Sequence, residues 1–196
     1  MEIARAAAAY MAERGIENAR LEAELLLASV LGLSRLELYL QHDRPLTPGE
    51  KESFRALVRR RLKREPLQYV LGEVQFRALS LRVDPRVLIP RPETEVLVGE
   101  VLRWAASRGA AEGLTAVDVG TGSGAIALSL AKEGPFRRVV ATDVSTDALE
   151  VARQNAARAG LAERVEFRTG ALWDALRPGE RFDVVVSNPP YIPEAE

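Results

Sequence analysis

Asp118-Val119-Gly120-Thr121-Gly122-Ser123-Gly124 leaves the strand-like run Ala116–Val119 and enters the helical pattern Ala125–Glu133. Strand, glycine loop and helix in that order is the setting of a nucleotide-type site. Glycine accepts positive φ and lets a ligand approach the backbone closely, and the helix N-terminus offers free N–H groups to a carboxylate or phosphate. The plain alternative is a tight strand-to-helix turn that holds nothing, and the context weighs against it.

Outward from the loop, the rhythm of strand and helix continues. Val139–Ala141, Val165–Phe167 and Val184–Val186 are short and Val-rich, which suits strands buried on both faces of a parallel sheet, and Thr146–Ala159 has helical spacing. The expected fold is α/β: a doubly wound, Rossmann-like domain. Asp143 ends the second strand, at the spacing where an acidic side chain grips ribose hydroxyls. Gly120, Gly122 and Ala125 also satisfy a relaxed dinucleotide pattern, so the glycines alone do not separate NAD from S-adenosylmethionine.

Upstream, residues 1 to about 70 read as helical. Leu21, Leu25, Ala28 and Leu31 share one face, with Arg20 and Glu24 elsewhere. Thr47 is placed to cap a helix with Pro48 at its first position and Glu50 completing a capping box, and that helix is expected to reach about Glu65, before Pro66. Alternation over Glu73–Pro85 predicts a short hairpin, with poor turn chemistry, and a helix is expected over Pro92–Ser107 with Gly109 past its end. The resulting division is a helical domain over 1–72, a hairpin linker over 73–90 and a catalytic domain over 91–196.

Bulk properties narrow the function. The chain is 47% hydrophobic, 28% charged and carries a net charge of −1, so no global field draws it to nucleic acid or membrane. The absence of cysteine rules out disulfides, thiolate nucleophiles and Cys-based zinc sites. Met1-Glu2-Ile3-Ala4-Arg5 lacks the apolar core of a signal peptide and no run is long enough to cross a bilayer, so the expected location is cytoplasmic. The sole histidine, His42, reads as a solvated helix-end residue.

Asn188-Pro189-Pro190-Tyr191 follows Val184–Val186 at the carboxyl edge of the sheet, where such folds bind ligands. An amide or aromatic amine nitrogen has its lone pair tied up in conjugation and attacks poorly. The Asn188 side-chain oxygen and the Pro189 carbonyl can each accept one of its N–H groups and aim the lone pair at a sulfonium methyl. The prolines fix φ and leave carbonyls unclaimed, while Tyr191 can stack on the planar group. No metal is required. A Pro-Pro turn ending a strand is the bland alternative, but the coupled glycine loop and Asp143 favour chemistry, and nothing nearby resembles a hydride-transfer acid or base.

These residues bring a family into view. Gln68-Tyr69-Val70-Leu71-Gly72, Val87–Glu95 with its Pro90-Arg91-Pro92-Glu93-Thr94-Glu95 segment, Asp118–Gly124 and Asn188–Tyr191 together resemble the peptide chain release factor glutamine-N5 methyltransferases, the PrmC/HemK family. The Pro-Arg-Pro-Glu-Thr-Glu segment is the most specific of these. The resemblance implies methylation of the glutamine in a Gly-Gly-Gln motif of release factors as protein partners. It implies S-adenosylmethionine held by Asp118, Gly120, Thr121, Gly122, Ser123, Gly124, Asp143 and Asn188, with Leu172 lining the adenine pocket. Asn188, Pro189, Pro190 and Tyr191 would hold the glutamine. Ala171 departs from the family, where a polar residue is common near the adenine. The family's sheet has seven strands and only four are found before Glu196, so the expected catalytic domain is incomplete, C-terminally truncated, and weak on its own.

Two other functions are weighed. An adenine-N6 nucleic-acid methyltransferase uses the same tetrapeptide, but near-zero net charge opposes a duplex-reading cleft. An inactive protein-binding module is the other. The helix after Thr47 carries Lys51, Arg55, Arg59, Arg60, Arg61, Lys63 and Arg64, which reads as a solvated face or a dock for an acidic partner.

Overall fold

A computed structural model describes residues 1–109 and 113–189. The chain divides into two compact units, Met1–Gly72 and Glu73 onward. Among the described residues no helix is long and apolar enough to cross a membrane.

The first unit is all helical: α1 (Glu2–Ala12), α2 (Ala19–Leu31), α3 (Arg35–Leu40), α4 (Pro48–Leu62) and α5 (Leu67–Leu71). Met11, Leu26, Leu27, Phe54 and Val58 form its core. The capping box forms: Thr47 Oγ1 accepts the Glu50 N–H at 3.2 Å and Glu50 Oε2 accepts the Thr47 N–H at 2.7 Å. Two expectations here need correction. Helix α2 buries Ala28 of the expected stripe, with Leu31 packed on the core, but also buries Ala19, Ala23, Leu26 and Leu27 and leaves Leu21 exposed, so its inner face is rotated away from Leu21. The rotation carries acids inward that find partners: Glu24 accepts from Arg20, Arg35 and Tyr39, and Glu22 from Arg61. Helix α4 ends at Leu62 rather than Glu65. Arg64 takes a left-handed φ of 67°, held by its guanidinium donating to the Gly15 and Arg14 carbonyls at 2.8 and 2.7 Å.

The second unit opens with an antiparallel hairpin, β1 (Glu73–Phe76) and β2 (Leu79–Arg82). Arg77 occupies its turn at φ 49°, a conformation costly for arginine. It is held by its N–H on Glu95 and its guanidinium on Glu133, which is why turn residues alone signalled the hairpin weakly. Phe76, Leu79 and Leu81 are buried in the core of this unit, so the hairpin is packed against the catalytic fold.

Helix α6 (Pro92–Ser107) then leads to β3 (Leu114–Val119), α7 (Ala125–Glu133), β4 (Phe136–Asp143), α8 (Thr146–Arg158), β5 (Val165–Thr169), a 3₁₀ turn (Leu172–Ala175) and β6 (Val184–Ser187). The four strands form one parallel sheet in the order β5-β4-β3-β6. Strand β3 is buried throughout, as Val-rich strands covered on both faces should be. The chain winds outward from β3 through β4 to β5, then returns to the other side of β3 as β6. That reversal creates a crevice at the carboxyl ends of β3 and β6, where open α/β sheets bind ligands.

Candidate active site

The glycine loop turns its own amides inward. The N–H groups of Gly120 and Thr121 both donate to the Thr142 carbonyl at 2.9 Å, and that of Gly124 to the Thr121 carbonyl at 2.9 Å. The Gly122 N–H donates to Asp143 Oδ2 at 2.8 Å, while Asp143 Oδ1 accepts from the Ser145 N–H at 2.9 Å. A loop built for a diphosphate keeps such amides for the anion. Here four are consumed within the fold, and a carboxylate stands beside them.

Beneath the loop, Asp118 is fully buried. Its Oδ2 accepts from the Thr121 hydroxyl at 2.6 Å and the Ala127 N–H at 3.1 Å, and its Oδ1 has no partner among the described residues. Burial pushes its carboxyl up to about 6, against the pull of those two donors and with a small push from Asp143. Two acidic side chains, Asp118 beneath the loop and Asp143 beside it, thus stand against the loop, a setting that favours a cationic ligand over a diphosphate.

The loop also leaves room. At Gly120 and Gly122, with φ of 75° and 55°, a Cβ would meet no atom within 4 Å, so the backbone faces open space. Asp143 has each oxygen engaged once, and a carboxylate can accept about twice that number of hydrogen bonds, which leaves capacity for ribose hydroxyls. Open backbone, an orphaned buried acceptor and two acids fit S-adenosylmethionine, whose sulfonium and ammonium are positive.

Ser123 is buried within the loop, and its carbonyl accepts from Asn155 Nδ2 at 2.9 Å. Asn155 also bonds both backbone groups of Arg82 in β2, at 2.7 and 3.0 Å. The hairpin and the loop are thus clamped by one amide that sequence reasoning overlooked. Its signal was a lone polar residue in the otherwise apolar inner stripe of α8, beside Ala148, Leu149, Ala152 and Ala156. Leu172 lies past β5 at the same edge of the sheet, 65% exposed and at φ 45°, an uncommon conformation for leucine.

At the end of β6, Ser187 Oγ donates to the Val119 carbonyl at 2.8 Å, tying this strand's tip to the start of the loop. The next residue, Asn188, donates from Nδ2 to Thr94 Oγ1 at 2.7 Å. A narrow cleft joins Asn188 and Thr94 to Leu88, Pro90 and the loop residues Gly120 and Gly122. The glycine loop, the Pro90–Glu95 segment and the start of the tetrapeptide thus meet in one place. Pro189 is exposed, while Pro190 and Tyr191 lie outside the described residues.

A doubly wound parallel sheet with this site defines the methyltransferase class. The N-terminal domain of human METTL16 shares the fold, with a TM-score of 0.50 at 22% identity over 58% of this chain and 47% of that one. Residues 2–72 match the PrmC N-terminal domain and residues 102–196 the methyltransferase small domain. A release factor glutamine methyltransferase from Chlorobaculum tepidum is 50% identical over all of this chain and 68% of its own length. One from Geobacter sulfurreducens is 50% identical over 95% of the chain and 63% of its own length. The chain belongs to the release factor glutamine methyltransferase family. It spans 61–68% of the length of these and other relatives of that name.

Proposed function

We propose that this chain is the cofactor-binding and substrate-positioning part of an enzyme that methylates the N5 amide of the glutamine in the Gly-Gly-Gln motif of peptide chain release factors. The observation that carries the proposal is Asn188 held at the carboxyl end of β6, in one cleft with the glycine loop. The half-identical relatives of that name support the substrate.

S-adenosylmethionine, when bound, supplies a methyl group on a sulfonium whose departure leaves a neutral thioether. Gly120, Gly122 and Asp143 are the residues to hold it, Asp143 toward the ribose, with Leu172 toward the adenine. The task left to the chain is orientation. Asn188, whose Nδ2 donates to Thr94 Oγ1, is the residue to accept one N–H of the glutamine amide through its side-chain oxygen, with the Pro189 carbonyl accepting the other. Both N–H groups are then fixed and the nitrogen lone pair faces the methyl. The nitrogen sheds its extra proton to water once the new bond has formed, so no strong base is needed. Pro190 and Tyr191 complete the substrate side, Tyr191 by stacking. The partner is a protein in the cytoplasm, with no call for nucleic acid or membrane.

The basic helix α4 fits a structural role better than a dock. Arg61 pairs with Glu22 at 2.6 Å, Arg59 with Glu52 at 2.9 Å and Arg60 with Glu65, and just past the helix Arg64 bonds backbone carbonyls. The test of function is methyl transfer by the full-length protein to a release factor, with mass spectrometry locating the product on the Gly-Gly-Gln glutamine. Methylation of adenine in an oligonucleotide instead would move the assignment to the nucleic-acid enzymes.

A further inference from the structure

Thr94 is the partner of Asn188, and its place in α6 is unusual. The inner stripe of that helix is Thr94, Val98, Val101 and Ala105. Three members are apolar, and the helical period calls for an apolar residue at the first as well. Thr94 is only 6% exposed, and a hydroxyl buried there costs stability unless it is bonded. The partner is the Asn188 amide at 2.7 Å, contributed from 94 residues away.

We infer that Thr94 is a positioning residue: by accepting the Nδ2 hydrogen of Asn188 it holds that side chain in the cleft beside the glycine loop. An asparagine at a strand end has two side-chain torsions to fix, and a reacting group displaced by about 1 Å loses much of its rate advantage. Thr94 is well placed to hold it. It sits in the first turn of a helix begun by Pro92 and anchored by buried Val98 and Val101, so its hydroxyl is fixed by a rigid element. This also gives a physical use to the Pro90–Glu95 segment, which brings Thr94 into the cleft beside the glycine loop.

The inference rests on the proposed methyl transfer, and its test separates the two. In the full-length enzyme, Thr94→Val keeps the shape and removes the acceptor, while Thr94→Ser keeps the hydroxyl. Thr94→Val is expected to lower kcat by about 10- to 100-fold, the scale of a misplaced reacting group. Calorimetry should show the S-adenosylmethionine Kd within about threefold of wild type, and any fall in Tm should be no larger than the loss of one hydrogen bond gives; Thr94→Ser should recover most of the rate. Adding Thr94→Val to Asn188→Ala should cost little more than Asn188→Ala alone, because both act through one amide. Near-wild-type kcat in Thr94→Val, or full additivity in the double variant, overturns the positioning role. A wild-type enzyme inactive on the release factor overturns the substrate instead, and the same ratios are then read on an adenine-containing oligonucleotide.

Discussion

Asp143 accepts the amide hydrogen of Gly122 from 21 residues away in sequence, at 2.8 Å, so the acid at the end of β4 braces the glycine loop at the end of β3. The same carboxylate is proposed to meet the ribose. Asp143→Ala should therefore weaken S-adenosylmethionine binding by about 1.5–3 kcal/mol, the scale of a hydrogen bond to a charged group. Calorimetry on the full-length protein checks this, and unchanged affinity would move the ribose contact elsewhere.

Gly122 and Gly124 separate ligand room from folding room. Alanine at either position bears the strain of positive φ, about 1–2 kcal/mol. At Gly122 the new Cβ meets nothing within 4 Å and enters the open space assigned to the cofactor. At Gly124 it lies 3.1 Å from Leu128 Cδ1 and 3.3 Å from Ala152 Cβ. Gly124→Ala should lower Tm more than Gly122→Ala, while Gly122→Ala should lose at least about tenfold in cofactor affinity, or ~1.4 kcal/mol. Full affinity in Gly122→Ala would show that the cofactor lies away from the loop.

Asp118 makes stability depend on pH. Its carboxyl rises from 3.8 to about 6 on folding, so the folded protein holds this proton more tightly than the unfolded chain. The group costs nothing below pH 3.8, and the penalty of a buried charge grows as pH rises towards 6 and then levels off. About two units at ~1.4 kcal/mol each make that penalty about 3 kcal/mol. Relative to wild type, Asp118→Asn should gain by an amount of that order between pH 4 and pH 8. Chemical denaturation at several pH values measures it, and a pH-independent difference would contradict the buried charge.

Asn188→Ala should cost about 2–4 kcal/mol in transition-state stabilisation, as loss of a preorganised hydrogen-bonding group does, with a much smaller change in cofactor affinity. Single-turnover methyl transfer at saturating cofactor is the measurement. Near-normal turnover would remove Asn188 from the substrate site.

The parallel sheet was legible because Val-rich runs and a strand-to-helix glycine loop are local signals, and Asp143 and Asn188 fell at strand ends as their spacing implied. What pattern could not show was long-range pairing. Helix α2 turned an unexpected face inward because Arg61, Arg35 and Tyr39 lie elsewhere in the chain to receive its acids. Arg77 in its turn depends on Glu95 and Glu133 for the same reason. The glycines could not choose between ligands until their amides were seen to be spent on Thr142 and Asp143. Thr94 and Asn155 hid because one polar residue in an apolar stripe declares no partner.

The central claim is that the cleft holds a glutamine amide for methylation, and transfer of a tritiated methyl group from S-adenosylmethionine tests it most directly. The full-length enzyme is offered a release factor, the same factor with its Gly-Gly-Gln glutamine changed to alanine, and an adenine-containing oligonucleotide. Label is expected on the unaltered factor alone, recovered as N5-methylglutamine. Equal labelling of the altered factor, or label on the oligonucleotide with none on the protein, would contradict it.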